Sequence, residues 1–183
     1  MGLFDRFKKK KMPTDQEIAD SVAEVNELFD MDVKDIWSIK DSNPFIIAMN
    51  GWVCRKCHYG EQIAALTAEE RTFYIVTMLE AEVNNGGFEQ YLYNSSGNFA
   101  NELVAALRSI GADATADIYQ KALDALGCEL PSNRDAREEV LARVLTDDVS
   151  DILDECDSVF YQYPDNIEAL SYQFIIKNKS YFV

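Results

Sequence analysis

The chain has 183 residues, with 17 basic and 32 acidic side chains and a formal net charge of −15. That length suits a single domain with its own core, and its acidity excludes direct binding to nucleic acid phosphates, which requires clustered Lys and Arg. Five of the basic residues (Arg6 and Lys8 to Lys11) fall in the first twelve positions beside one acid, Asp5. Residues 13–183 therefore hold 12 basic and 31 acidic side chains, a net of −19. A body of that charge favours basic proteins as partners. No run of about 18 apolar residues is present, so no membrane span is expected. The start, MGLFDRFKKKKM, lacks the apolar stretch of a secretory signal, and a cytoplasmic location is expected.

In chain order, residues 1–12 read as a basic tail dispensable for folding, with Leu3, Phe4 and Phe7 able to grip a surface weakly. Thr14 and Glu17 form a capping box, followed by Ile18, Val22, Val25 and Phe29 at helical spacing. Pro44 suits the first turn of a second helix carrying Ile46, Ile47, Trp52 and Val53. Thr67 and Glu70 form another capping box ahead of Phe73, Val76, Leu79 and Val83. Gly111 and Gly127 each follow an apolar periodic run and stand where left-handed C-caps belong. Three further helices are expected: one beginning after Ser132 to Asp135, one near 147–162 and one near 165–177, the last two divided by Pro164. The expectation is an all-α fold, a single compact domain of about eight helices spanning 13–183, with 30–43 the least regular part.

Three candidate sites stand out. Cys54-Arg-Lys-Cys57-His58 matches a c-type haem attachment pattern, but His58 is the only histidine and no second pair of metal ligands accompanies it. The pair is expected to stay reduced, with no metal and no cofactor, and Cys128 and Cys156 to fill apolar helix faces. One imidazole and no phosphate-binding glycine loop leave no catalytic set, so a non-enzymatic protein is expected.

The stretch EVNNGGFEQYLYNSSG (82–97) interrupts one helix at Gly86-Gly87. Either glycine can take positive φ, so the interruption reads as a joint. Phe88, Tyr91 and Leu92 would dock the next turn, and Asn94 to Gly97 would offer an N-cap to a segment starting at Phe99. Asn84, Asn85, Gln90 and Asn94 would satisfy orphan backbone groups. The alternative is a polar ligand pocket or enzyme site lined by Glu82, Asn85 and Gln90.

From Asp147 to Glu168 there are eight acids and no base. On a helix, Val149, Ile152, Leu153, Cys156, Val159 and Phe160 share an arc of about 120°. Asp147, Asp148, Asp151, Asp154, Glu155 and Asp157 take the other side. They form either an ordinary solvated face or a partner-binding surface for a basic protein.

Three stretches together, EVNNGGFEQYLYNSSG (82–97), ALRSIGADATADIYQKAL (106–123) and LDECDSVFYQYPDNIEALSYQFI (153–175), resemble the bacterial DNA mimic protein 19 family. The resemblance covers about 60–180. It implies an acidic all-α fold and a non-enzymatic protein that occupies a helix-turn-helix transcription factor in place of DNA. The partner would then be a DNA-binding regulator. A second reading of the same surface is an immunity or antitoxin protein blocking a basic nuclease, and the oligomeric state stays open.

Overall fold

The computed structural model describes residues 13–183. The basic tail lies outside them. Nine α-helices occur among the described residues, and no strand. They are α1 (Asp15–Phe29), α2 (Val33–Ile36), α3 (Ser42–Lys56), α4 (Ala68–Tyr93), α5 (Leu103–Ile110), α6 (Asp113–Leu126), α7 (Arg134–Val144), α8 (Asp147–Phe160) and α9 (Ile167–Lys177). The all-α expectation holds.

Local signals act where the sequence places them. Thr14 and Thr67 each accept from the backbone N–H three residues on, while Glu17 and Glu70 return the bond to the cap. Gly111 (φ 87°) and Gly127 (φ 66°) end α5 and α6 in the left-handed conformation that costs glycine nothing. Two boundaries differ from expectation. Pro44 is the third residue of α3, because Asp41 is the residue preceding it. Asn94 caps no segment at Phe99. Instead Ser95–Phe99 forms a 3₁₀ turn, and α5 begins only at Leu103.

The central element is α4, which packs against α3, α5, α7, α8 and α9. Its two faces explain why: Phe73, Val76, Leu79, Val83, Phe88, Tyr91 and Leu92 are all fully buried. At roughly 1.5–3 kcal/mol per buried large apolar side chain, this helix carries much of the folding free energy. Around its second part the aromatics interlock. Phe88 stacks on Tyr119 with ring centroids 5.7 Å apart, and Tyr91 meets Tyr119 edge-on at 5.8 Å. Phe160 of α8 closes the cluster against Phe88 at 5.9 Å. Both tyrosine hydroxyls are pushed well above their ordinary pKa, chiefly by burial.

By contrast, α1 contributes no buried residue. Its predicted apolar face is real but uncovered, with Ile18, Val22 and Val25 between 44% and 55% exposed. Only its C-terminal end docks, on α3, where a side chain at Gly51 would overlap the Phe29 carbonyl.

Candidate functional site: the α4 joint and the acidic face of α8

The Gly86-Gly87 break lies within α4. Gly86 adopts φ −172°, ψ 28° and Gly87 φ 76°, ψ −177°, so the helix stops and restarts within two residues. The ψ near 180° at positive φ is a region essentially reserved for glycine. The restart creates a new N-terminus with unpaired N–H groups, and Asp157 of α8 supplies the acceptor. Its Oδ1 accepts from the Phe88 N–H at 2.8 Å, and its Oδ2 lies where a side chain at Gly87 would have to go. Burial raises the Asp157 pKa, while the Phe88 N–H works against that shift. Tyr161, one turn further along α8, donates to the Val83 carbonyl at 2.8 Å, satisfying the other side of the break. The sequence reading of a joint is the arrangement seen.

The polar side chains around the joint serve the chain itself. The Glu82 carboxylate accepts from Gln90 Nε2 (2.8 Å), Asn94 Nδ2 (2.8 Å) and Ser96 Oγ (3.1 Å). Asn84 donates to the Tyr163 hydroxyl, and Glu89 accepts from Ser150 of α8. Asn85 is exposed. With three donors on its two oxygens, Glu82 holds Gln90, Asn94 and Ser96 together, while Asn85 takes no part. The Glu82–Gln90 region is thereby a packed polar staple.

Beyond Tyr93 a second device closes the end of α4. Arg137 of α7 is completely buried and makes no ion pair among the described residues. Its Nε donates to the Leu92 carbonyl (2.6 Å) and Nη2 to the Asn94 carbonyl (2.7 Å). Nη1 reaches Asn98 Oδ1 (2.9 Å) and the carbonyls of Pro131 and Ser132. A cation among the last carbonyls of a helix is favoured by the helix dipole and satisfies acceptors that would otherwise be orphaned. Gly97 is small because the Leu92 carbonyl and Arg137 Nε occupy the space a side chain would need. Sequence reasoning missed Arg137, since its partners lie 43 and 45 residues away.

The six acids of α8 divide into three kinds. Asp157 turns inward as described. Glu155 is exposed and paired with Lys121 of α6 at 2.9 Å. Asp147, Asp148, Asp151 and Asp154 are exposed and make no ion pair among the described residues. Two further acids of the same run are also structural. Asp165 Oδ2 accepts from the Thr115 N–H (2.7 Å) and hydroxyl (2.9 Å) at the start of α6. Glu168 accepts from Ser42 Oγ (2.6 Å) and Asn43 Nδ2 (3.0 Å) at the start of α3, which lower its pKa.

The Cys54–Cys57 pair lies against the core. Both thiols are buried and free, and burial pushes Cys54 up to about 12 and Cys57 above its ordinary value. Both shifts disfavour the thiolate, the reactive form of cysteine. Among the described residues no group of three or more His, Cys, Asp or Glu side chains is placed to hold a metal ion. Cys156 is buried as expected, but Cys128 is exposed just past the α6 C-cap and fills no apolar face.

Fold and surface define a small acidic helical protein in which a row of carboxylates on α8 makes no ion pair among the described residues. No helix of the described residues is long and apolar enough to cross a membrane. A family model described as DMP19-like protein matches residues 64–178, and the chain belongs to that family. The match begins just ahead of α4 and ends just beyond α9, so α1 to α3 lie outside it. No curated protein and no solved structure gives a match.

Proposed function

We propose that the chain is a non-enzymatic protein that binds a basic DNA-binding protein in place of DNA, with the acidic face of α8 as phosphate surrogate. The observation that carries this reading is the row Asp147, Asp148, Asp151 and Asp154: four exposed carboxylates with no ion-pair partner among the described residues. Acids three and four positions apart on a helix are about 5–6 Å apart, and like charges at that spacing repel. The cost is small, a few tenths of a kcal/mol per close pair. The first two acids regain part of it at the α8 N-terminus, behind the Thr146 cap. A partner that supplies Lys or Arg relieves the rest. Duplex DNA displays one charge per about 1.7 Å of axis over two strands, so a DNA-binding surface would meet a sparser version of the pattern it normally reads. Association would be steered by charge and weakened by salt.

The test uses the full chain as bait in a native lysate, beside a variant carrying D147N, D148N, D151N and D154N. The expected result is a DNA-binding protein retained by wild type, released by salt, displaced by duplex DNA and lost from the variant bait. Equal capture by both baits, or no competition from duplex DNA, overturns the reading. Capture of a nuclease whose activity the chain blocks would replace it with an immunity function on the same face.

A further inference from the structure

The acidic surface leaves one feature unexplained: a helix that projects from the body with its apolar stripe bare. Every residue of α1 from Asp15 to Glu27 is exposed. Thirteen residues at 1.5 Å each extend about 20 Å beyond the docked end. Ile18, Val22 and Val25 follow at spacings of four and three, the pattern of a two-helix seam, and Phe29 continues the spacing into the docked end.

The distribution of charge around that seam identifies what covers it. From Asp15 to Asp32 there are seven acids and no base. Yet the positions flanking the seam are Ala19, Ser21, Asn26 and Leu28, all neutral. Asp20, Glu24 and Glu27 fall on the opposite side of the helix, and Glu17 alone borders the groove along the stripe, at its N-terminal end. A cationic partner helix would want acids along the length of the seam, and Glu17 is the one acid beside it. A helix of the same sequence, equally acidic on its back, meets mainly apolar and neutral side chains.

We propose that α1 pairs antiparallel with α1 of a second copy of this chain. The antiparallel sense follows from the bodies. Side by side, two bodies of net −19 would repel, whereas antiparallel pairing sets them at opposite ends of the seam. A separation of about 20 Å exceeds the Debye length of about 8 Å at physiological salt. The same sense opposes the two helix dipoles. It also sets the start of each α1, which follows Lys8–Lys11 in the sequence after three residues, at the end of the partner helix that carries Glu27, Asp30 and Asp32. A seam of this length is smaller than a standard interface, so association is expected in the micromolar range.

Sedimentation velocity of the full chain across roughly 1–500 μM at 50 mM salt tests this. The expected result is a concentration-dependent monomer–dimer equilibrium. Val22→Glu, which sets two like charges face to face at the centre of the seam, should weaken it at least tenfold without changing the melting temperature, since Val22 is exposed. Removing residues 1–12 should weaken it less, and only at low salt. A monomer at every concentration, or a dimer indifferent to Val22→Glu, overturns the proposal. A full chain that stays monomeric while the truncated chain dimerises assigns the stripe to the chain's own tail and also overturns it.

Discussion

The end of α4 and the outer face of α8 both spend charged side chains, to opposite ends. Around the second part of α4 the buried charges are engaged by the backbone: Arg137 makes five hydrogen bonds, four of them to main-chain carbonyls, and Asp157 accepts from the Phe88 N–H. On the outer face Asp147, Asp148, Asp151 and Asp154 have no ion-pair partner among the described residues. A buried charge without partners costs several kcal/mol, while an exposed one costs almost nothing. Saturation therefore separates side chains that hold the fold from those available to something outside it.

The largest expected effect is at Arg137. Arg137→Met keeps much of the volume but strands the Leu92 and Asn94 carbonyls together with those of Pro131 and Ser132. A loss of more than about 3 kcal/mol is expected in urea unfolding, since each stranded buried acceptor costs about 1–3 kcal/mol. A loss under about 1 kcal/mol would mean that saturation does not mark structural charge here. Next comes Gly87→Ala, which forces a side chain into positive φ and onto Asp157 Oδ2. The expected cost is about 2–3 kcal/mol, and it is smaller in an Asp157→Ala background, where the overlap is gone and the positive-φ strain stays. That non-additivity, read from a double-mutant cycle, is the sharper measurement.

Asp157→Ala alone removes the acceptor at the restarted helix and should cost about 1–2 kcal/mol. Asp157→Asn keeps an acceptor and should cost less, and it also changes the pH dependence. Burial raises the folded pKa of Asp157 above its unfolded value, so the folded chain binds that proton more tightly. This group thus makes stability fall as pH rises through the window just above the ordinary carboxylate value. The Asn variant should lack that part of the slope in acid titrations followed by circular dichroism. The smallest effect belongs to the outer row. D148N, D151N and D154N together should leave stability unchanged or raised by no more than about 0.5 kcal/mol. A loss above about 1 kcal/mol would show that the row is as structural as the joint.

Most of the helical architecture was legible because its signals are local. A capping Thr with Glu three residues on, or a Gly closing an apolar run, needs only its own neighbours, and these devices at Thr14, Thr67, Gly111 and Gly127 act as read. The Gly86-Gly87 break was legible for the same reason. The division of the acids was not. Asp157 lies only about 40° around the helix from Leu153 at 100° per residue, a hint that it borders the buried arc. Its role nevertheless depends on an N–H 69 residues away. Lys121 opposite Glu155 and Arg137 under α4 are likewise products of packing between distant helices. The bare stripe of α1 shows the converse: periodicity reported an apolar face correctly, but no periodicity says whether the rest of the chain covers it.

The interlocked rings of Phe88, Tyr91, Tyr119 and Phe160 also give the molecule an intrinsic optical gauge. Of its nine tyrosines, Tyr74, Tyr91 and Tyr119 are buried, and burial pushes their phenols above the range in which exposed phenols ionise. Their phenolate absorbance can appear only when the core opens. Edge-on packing of two such chromophores 5.8 Å apart also places them in an asymmetric, rigid setting that near-ultraviolet circular dichroism reads directly. An alkaline titration without any label would therefore separate surface tyrosines, rising smoothly, from a late cooperative step that times the loss of α4 from its neighbours.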